Sequence, residues 1–272
     1  MNTGFKKINK CLFKKIDLLA FCSKIYLGAV YLFLYAPIIV LMLFSFSRSR
    51  SRANFGILTL DWYRSLFLNQ ELMSSLYNTF VIAILATTIS VIIGTLASIG
   101  IYFLPRYMQT IVMRITYLPM LNPDIVTGIS LMLLFIFCKI NMGFLTLILS
   151  HVTFCVPYVI LAIQPKLKRI GRTSFEAAED LGASDFYILK KVIIPQIYPE
   201  ILNGTLLSFT LSLDDFIVSF FNNGYVNTLS ISIYSQTKQG INPEINALST
   251  IVFIVLMLLL FIIDYRRKIG EK

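Results

Sequence analysis

The sequence predicts an all-α integral membrane protein with six transmembrane helices, and three observations carry that expectation. Of the 272 residues, 57% are hydrophobic and 14% charged, where a soluble domain carries about 25% charged residues; the mean hydropathy is +0.76. Six stretches approach the roughly 20 apolar residues that a spanning helix needs. Lys and Arg gather on one side of those stretches, the asymmetry that orients a multi-spanning chain. The net charge of +10 sits on too apolar a background for a disordered or nucleic-acid-binding protein. Cys11, Cys22, Cys138 and Cys155 fall in or beside apolar stretches without a Cys-x-x-Cys pair, which argues against a disulfide framework or a zinc site.

In chain order, residues 1–25 form a basic tail and 26–71 the first spanning helix with an outer loop. Residues 72–264 form the main transmembrane domain, and 265–272 a second tail. The first helix, Tyr26–Phe46, is too long for a signal h-region and lacks a small-x-small cleavage site, so it is expected to stay in the membrane. Tyr77–Phe103 is the second. Ile111–Phe137 is the third, with Arg114 at its start and Asp124 in its middle. Gly143–Gln164 is the fourth. Ile201–Phe221 is the fifth and holds Asp214 and Asp215, and Ile245–Ile263 is the sixth. With the N-terminus inside, 18 of the 24 Lys and Arg lie on the inner side and 6 on the outer. Both termini are therefore expected in the cytoplasm, the Arg48–Arg52 cluster being a local exception. The outer loops, Ser47–Leu76 and Asn222–Glu244, are too short for a catalytic domain.

The inner segment Pro165–Glu200 is the longest on its face, and its chemistry is a helix–glycine–helix module. Thr173 and Glu176 stand at capping-box spacing. Glu176-Ala-Ala-Glu-Asp-Leu makes a short helix that Gly182 can terminate in the left-handed conformation. Ser184 can cap a second helix from Asp185 toward Ile194, where Pro195 ends or bends it. Small Ala177 and Ala178 allow another surface to approach closely. By itself the module is also consistent with a capped amphipathic loop on the membrane face.

Glu176-Ala-Ala-x3-Gly182-x9-Val192-x-Ile194-Pro195 resembles the EAA signature of the inner-membrane subunits of binding-protein-dependent ABC importers, with Val192 and Ile194 conservative changes. Further segments resemble the spermidine/putrescine permeases of that family. They are Tyr35-Ala-Pro-Ile-Ile, Asn122-Pro-Asp-Ile-Val126, Ser150-His-Val-Thr-Phe-Cys-Val-Pro157, Leu207 to Asp215, and Asn242-Pro-Glu-Ile-Asn-Ala-Leu248. Asn122 departs from a frequent serine, and the N-terminal tail is longer. The resemblance implies a type I ABC importer (MetI-like) permease fold whose EAA loop, at about 165–200, couples to an ATP-binding subunit through Glu176, Ala177, Ala178, Gly182 and Pro195. It also implies a sister permease, two copies of the ATP-binding subunit and an outer polyamine-binding protein. The chain has no Gly-x4-Gly-Lys-Ser/Thr phosphate loop, so it is expected to be a transport subunit without its own ATPase site and without a cofactor.

Three carboxylates lie at mid-membrane depth, where an ionised Asp costs about 2.5–3.5 kcal/mol each. No Lys or Arg of this chain reaches that depth, so the uncompensated sign is negative, which suits a cationic cargo or a proton. Ser208, Ser212, Asp215, Ser219 and Asn222 recur at helical spacing and form one polar stripe. That periodicity sets Asp215 toward a pathway and Asp214, about 100° away, toward a neighbouring helix or backbone. Pro119 and Pro123 interrupt the third helix, leaving Asp124 beside a break, as helices that line substrate pathways often are. Asp124 is alternatively an N-terminal charge on the restarted half-helix. Tyr117, Phe209, Phe216 and Tyr234 are candidate cation–π partners. Trp62, the only tryptophan, is either an interfacial anchor or a residue of the pathway entrance, and His151 is expected to be a packing residue. The expected function is polyamine import. The alternatives are another small cation, or a proton-coupled secondary transporter that would explain the acids but not the inner loop.

Overall fold

The computed structural model describes residues 3–49, 55–170, 173–239 and 242–270. Arg50, Arg52 and Arg172, and the side chains of residues 1–22 and of Thr173, lie outside the described residues. Apart from an isolated bridge between Ser47 and Leu58, every regular element among the described residues is helical. In order these are α1 (Thr3–Ser45), α2 (Asp61–Leu68), α3 (Gln70–Phe103), α4 (Arg106–Leu121), α5 (Asp124–Phe137), α6 (Phe144–Ile170), α7 (Thr173–Asp180) and α8 (Asp185–Ile188). A π-helical turn at Leu189–Ile193 follows, then α9 (Ile194–Asp214), α10 (Ile217–Asn222), α11 (Leu229–Gln239) and α12 (Pro243–Gly270).

The chain divides into two compact units, Met1–Asn69 with Gln239–Lys272, and Gln70–Lys238. In the first, α12 packs along α1 and against α2. Polar contacts fasten the short α2 at both ends. Ser45 Oγ and Tyr63 Oη are 2.7 Å apart, and Trp62 Nε1 donates to Ser47 O at 2.7 Å. The Glu244 carboxylate accepts hydrogen bonds from Ser65 Oγ and, at 2.7 Å, from Asn69 Nδ2.

In the second unit, α3 packs along α6 and α9, and α6 packs along α9. Between helices in lipid, burial of apolar surface gives little advantage, so close approach and hydrogen bonds must supply the cohesion. The buried face of α3 fits that rule, with Ser75, Thr79, Ala83, Ala86, Ser90, Gly94 and Ser98 three to four residues apart. A Cβ at Gly94 would stand 2.7 Å from Val159 Cβ, so only glycine permits this approach of α3 to α6. Gln164 Nε2 of α6 donates to Ser98 O at 2.8 Å, and the Ser75 and Ser232 hydroxyls pair at 2.7 Å. At one end of these helices Ile99, Tyr102, Val159, Ile163 and Leu167 form a buried cluster with Ile188, Ile193 and Ile197, which seats the α7–α9 module.

Six spanning helices were expected, the third of them interrupted at Pro119 and Pro123; the structure has that interruption and adds a second one, in the fifth stretch. Among the described residues Ser23–Ser45, Gln70–Phe103 and Phe144–Ile170 are long and apolar enough to cross a membrane. A fourth span is counted if α4 and α5, bent by 101°, are taken together. The third stretch therefore breaks sharply. Asn122, preceding a proline, is pushed to an extended conformation (φ −76°, ψ 139°), and Pro123 has no N–H to continue the helix. The fifth stretch also breaks. α9 stops at Asp214, Asp215 is extended (φ −62°, ψ 125°), and the helix restarts at Ile217.

Candidate functional site

The two breaks meet α6 around one cavity of about 420 Å³, entirely within the second unit. Pro119, Met120, Asp124 and Thr127 line it from the α4–α5 bend, and Phe154 and Tyr158 from α6. The α9–α10 break contributes residues 210, 211 and 214–218, among them Asp214, Asp215 and Phe216. All three carboxylates thus line one cavity, and no Lys or Arg is among the described residues that line it.

Their environments differ. Asp124 is exposed and opens α5, where its charge lies at the positive end of the helix dipole. Asp214, the last residue of α9, is exposed too, and no described residue donates a hydrogen bond to its carboxylate. Asp215 is nearly buried, with its side chain 10% exposed. It accepts hydrogen bonds from Val218 N (3.2 Å) and Ser219 N (2.7 Å), capping α10. Its Oδ2 is also 3.6 Å from His151 Nε2. The sequence periodicity set Asp215 toward the lumen and Asp214 toward protein. In the structure both reach the cavity, but Asp214 is the exposed carboxylate and Asp215 the bonded one. The reason is the break itself, because past residue 214 the 100° step no longer applies.

The polar stripe is likewise a packing face. Ser208, Ser212, Ser219 and Asn222 are all buried, and none of them lines the cavity. The Ser212 and Ser219 hydroxyls meet the His151 ring, Ser208 O accepts from Cys155 Sγ at 3.5 Å, and Asn222 Nδ2 donates to Gly128 O at 3.2 Å. Polar side chains in hydrocarbon pair with neighbouring helices when no water is at hand. Trp62 belongs to the other unit, where its indole is anchored on Ser47. Of the four candidate aromatics only Phe216 lines the cavity. Tyr234 packs at a tilt of 46° on Phe216, 4.7 Å between centroids, and its ring carries Lys238 Nζ at 4.6 Å, while Phe209 packs on Phe80. Sequence reasoning missed Phe154 and Tyr158 and undervalued His151, although their spacing of three and four places all of them on one face of α6.

The α7–α9 module keeps the helix–glycine–helix order of its sequence pattern and departs from it at Ser184 and Pro195. Gly182 has φ +82°, its N–H donates to Glu179 O (2.8 Å), and Ala183 N donates to Ala178 O (3.1 Å). Together these form a Schellman ending. Ser184 occupies the cap position of α8, but its side chain makes no capping hydrogen bond. Pro195 does not end the helix. The π turn before it lets Ile194 N bond back to Leu189 O, and Pro195 falls in the first turn of α9, where a missing N–H is harmless. Ala178 leans on the buried cluster, and Phe175 meets Phe103 of α3 edge-on at 4.8 Å. Glu176, Ala177, Leu181, Phe186 and Tyr187 are exposed, Leu181 by 89%. A helix end thus presents small, apolar and acidic groups together.

The family described as the binding-protein-dependent transport system inner membrane component matches residues 90–269. The chain is 38% identical over 231 residues to the spermidine/putrescine transport system permease protein PotC of Escherichia coli (strain K12), covering 85% of this chain and 88% of that protein. It is 36% identical over 249 residues to the putrescine transport system permease protein PotI of the same strain, covering 88% of each. Its fold is similar to that of a bacterial ABC transporter chain involved in import of the acidic polysaccharide alginate. The TM-score is 0.71 at 15% identity, over 93% of this chain and 96% of that one. With two broken helices around an acidic cavity, an exposed EAA module and relatives this similar over most of its length, the chain belongs to the binding-protein-dependent transport system inner membrane components.

Proposed function

We propose that this protein is the membrane-spanning permease subunit of an ATP-driven importer for polyamines such as spermidine or putrescine. The observation that carries the cargo is the cavity: Asp124 and Asp214 are exposed on it with no basic partner among the described residues, beside the rings of Phe154, Tyr158 and Phe216. A polyamine is a flexible polycation with methylene spacers, so spaced carboxylates offer it ion pairs and aromatic faces offer cation–π contact. The similarity to PotC and PotI favours the same cargo. Energy enters at the Glu176–Gly182 helix, which docks on an ATP-binding subunit. The working complex contains two such subunits, a sister permease and an outer polyamine-binding protein. The expected result is that the reconstituted complex takes up radiolabelled spermidine or putrescine only with ATP and the binding protein. Uptake that survives ATP depletion with the proton gradient intact would point to a secondary transporter instead.

In this reading α4–α5 and α9–α10 bring the number of spans to six as broken helices, and both termini are cytoplasmic. Leu68 and Leu181 are both well exposed, and the Lys and Arg asymmetry assigns them to opposite faces of the membrane. In a variant free of its native cysteines, Leu68→Cys is expected to react with an impermeant thiol reagent added outside, and Leu181→Cys only after permeabilisation. The reverse pattern would mean that the Lys and Arg asymmetry has been misjudged.

A further inference from the structure

The break between α9 and α10 leaves two helix ends that must be held in register, and one side chain touches both. His151 of α6 is 1% exposed. Its Nδ1 lies 2.6 Å from Ser212 Oγ on α9, and its Nε2 lies 2.9 Å from Ser219 Oγ on α10. A neutral imidazole donates from one ring nitrogen and accepts at the other, so both hydroxyls are satisfied in either tautomer. Lys or Arg could only donate, and an apolar side chain would strand two buried hydroxyls. The ring is rigid, so it fixes the separation of the two serines across the break. Asp215 lies within that span. Its Oδ2 accepts from Ser219 N, the residue whose hydroxyl His151 holds. One turn along α6, Cys155 Sγ donates to Ser208 O and fastens the α9 side again. Asp214 is left facing the cavity.

We infer that His151 is a positioning residue, a strut across the α9–α10 break that keeps the Asp215 carboxylate bonded to the α10 cap, so that of the two aspartates on the cavity Asp214 offers the cargo its exposed carboxylate. The two neighbouring aspartates then have separate roles, Asp215 holding the break and Asp214 meeting the cation. The second role rests on the cavity being the cargo site, whereas the strut does not.

The test uses the assembled transporter in lipid nanodiscs, with His151→Leu and His151→Gln, the latter keeping a donor and an acceptor on one terminal group. Two readouts are independent of cargo. Hydrogen–deuterium exchange at residues 217–220 is expected to quicken roughly tenfold in His151→Leu and to return toward wild type in His151→Gln. In a variant with Cys11, Cys22 and Cys138 replaced, the buried Cys155 kept and Asp214→Cys introduced, thiol modification by a small cationic reagent is expected to slow when His151→Leu is added and to recover with His151→Gln. Putrescine uptake per assembled complex should follow the same order. A side chain that merely fills space would lower the yield of complex and leave the modification rate at position 214 unchanged, and that result overturns the proposal. Unchanged exchange at α10, or failure of Gln to restore either readout, does the same. A wild-type complex that moves no polyamine would remove the cargo reading, while exchange and thiol modification still decide the strut.

Discussion

Asp124→Asn and Asp214→Asn should each reduce polyamine uptake by roughly tenfold to over a hundredfold, if loss of a charge-assisted contact, about 1.5–3 kcal/mol, falls on the rate-limiting step. Asparagine keeps the volume and removes the charge, so assembly and binding by the outer protein are expected to stay near wild type. Both carboxylates are exposed on the cavity wall, so neither substitution strands a donor. Asp215→Asn is a different perturbation. It weakens an acceptor for two backbone N–H groups and changes the group beside His151, so its loss of uptake should come with faster exchange in α10. The measurement is uptake of radiolabelled spermidine and putrescine, normalised to assembled complex. Wild-type uptake by both Asp124→Asn and Asp214→Asn would reduce these residues to helix-terminal charges and leave the cargo resting on similarity alone.

Gly182→Val and Ala177→Trp should uncouple transport from ATP hydrolysis. Gly182 holds φ +82°, a conformation that costs a β-branched residue about 1–2 kcal/mol or more. The strain would undo the Schellman bonds to Glu179 O and Ala178 O and redirect Leu181 and the start of α8. Nothing within 4 Å would meet an added Cβ at Gly182, so the effect is one of backbone conformation and not of a clash. Ala177 is exposed, and a large ring there leaves the fold of this chain intact while keeping a docked partner at a distance. Inserted, assembled complexes with weak or futile hydrolysis and little uptake are the expected result, read by substrate-stimulated ATPase activity against transport. Normal coupling in both variants would remove the module from the coupling route.

Much of this was legible in the residues because the signals are local. Asn122-Pro123 breaks the third stretch since proline lacks an N–H and restricts its predecessor. Gly182 ends α7 since only a residue without a Cβ takes the left-handed turn without strain. The break at Asp215 was not legible, because no proline or glycine marks it. An apolar, polar-striped run such as Leu207–Phe221 has the same periodicity whether it is continuous or interrupted. Pro195 misled in the opposite direction, since the π turn before it absorbs the missing hydrogen bond.

The residues alone determined the class, the helix–glycine–helix module and the excess of acid in the apolar stretches, since hydropathy and helix-ending signals depend on neighbours in the chain. Only the tertiary structure decided which carboxylate is exposed on the cavity and which is bonded. It also decided that the serine stripe packs on His151 and Cys155 instead of lining a lumen, and that Phe154 and Tyr158 join the wall. Those outcomes depend on pairings between α5, α6, α9 and α10, distant in sequence. In hydrocarbon a polar side chain takes whichever partner the packing brings within reach, and periodicity gives the direction of a side chain only while its helix continues.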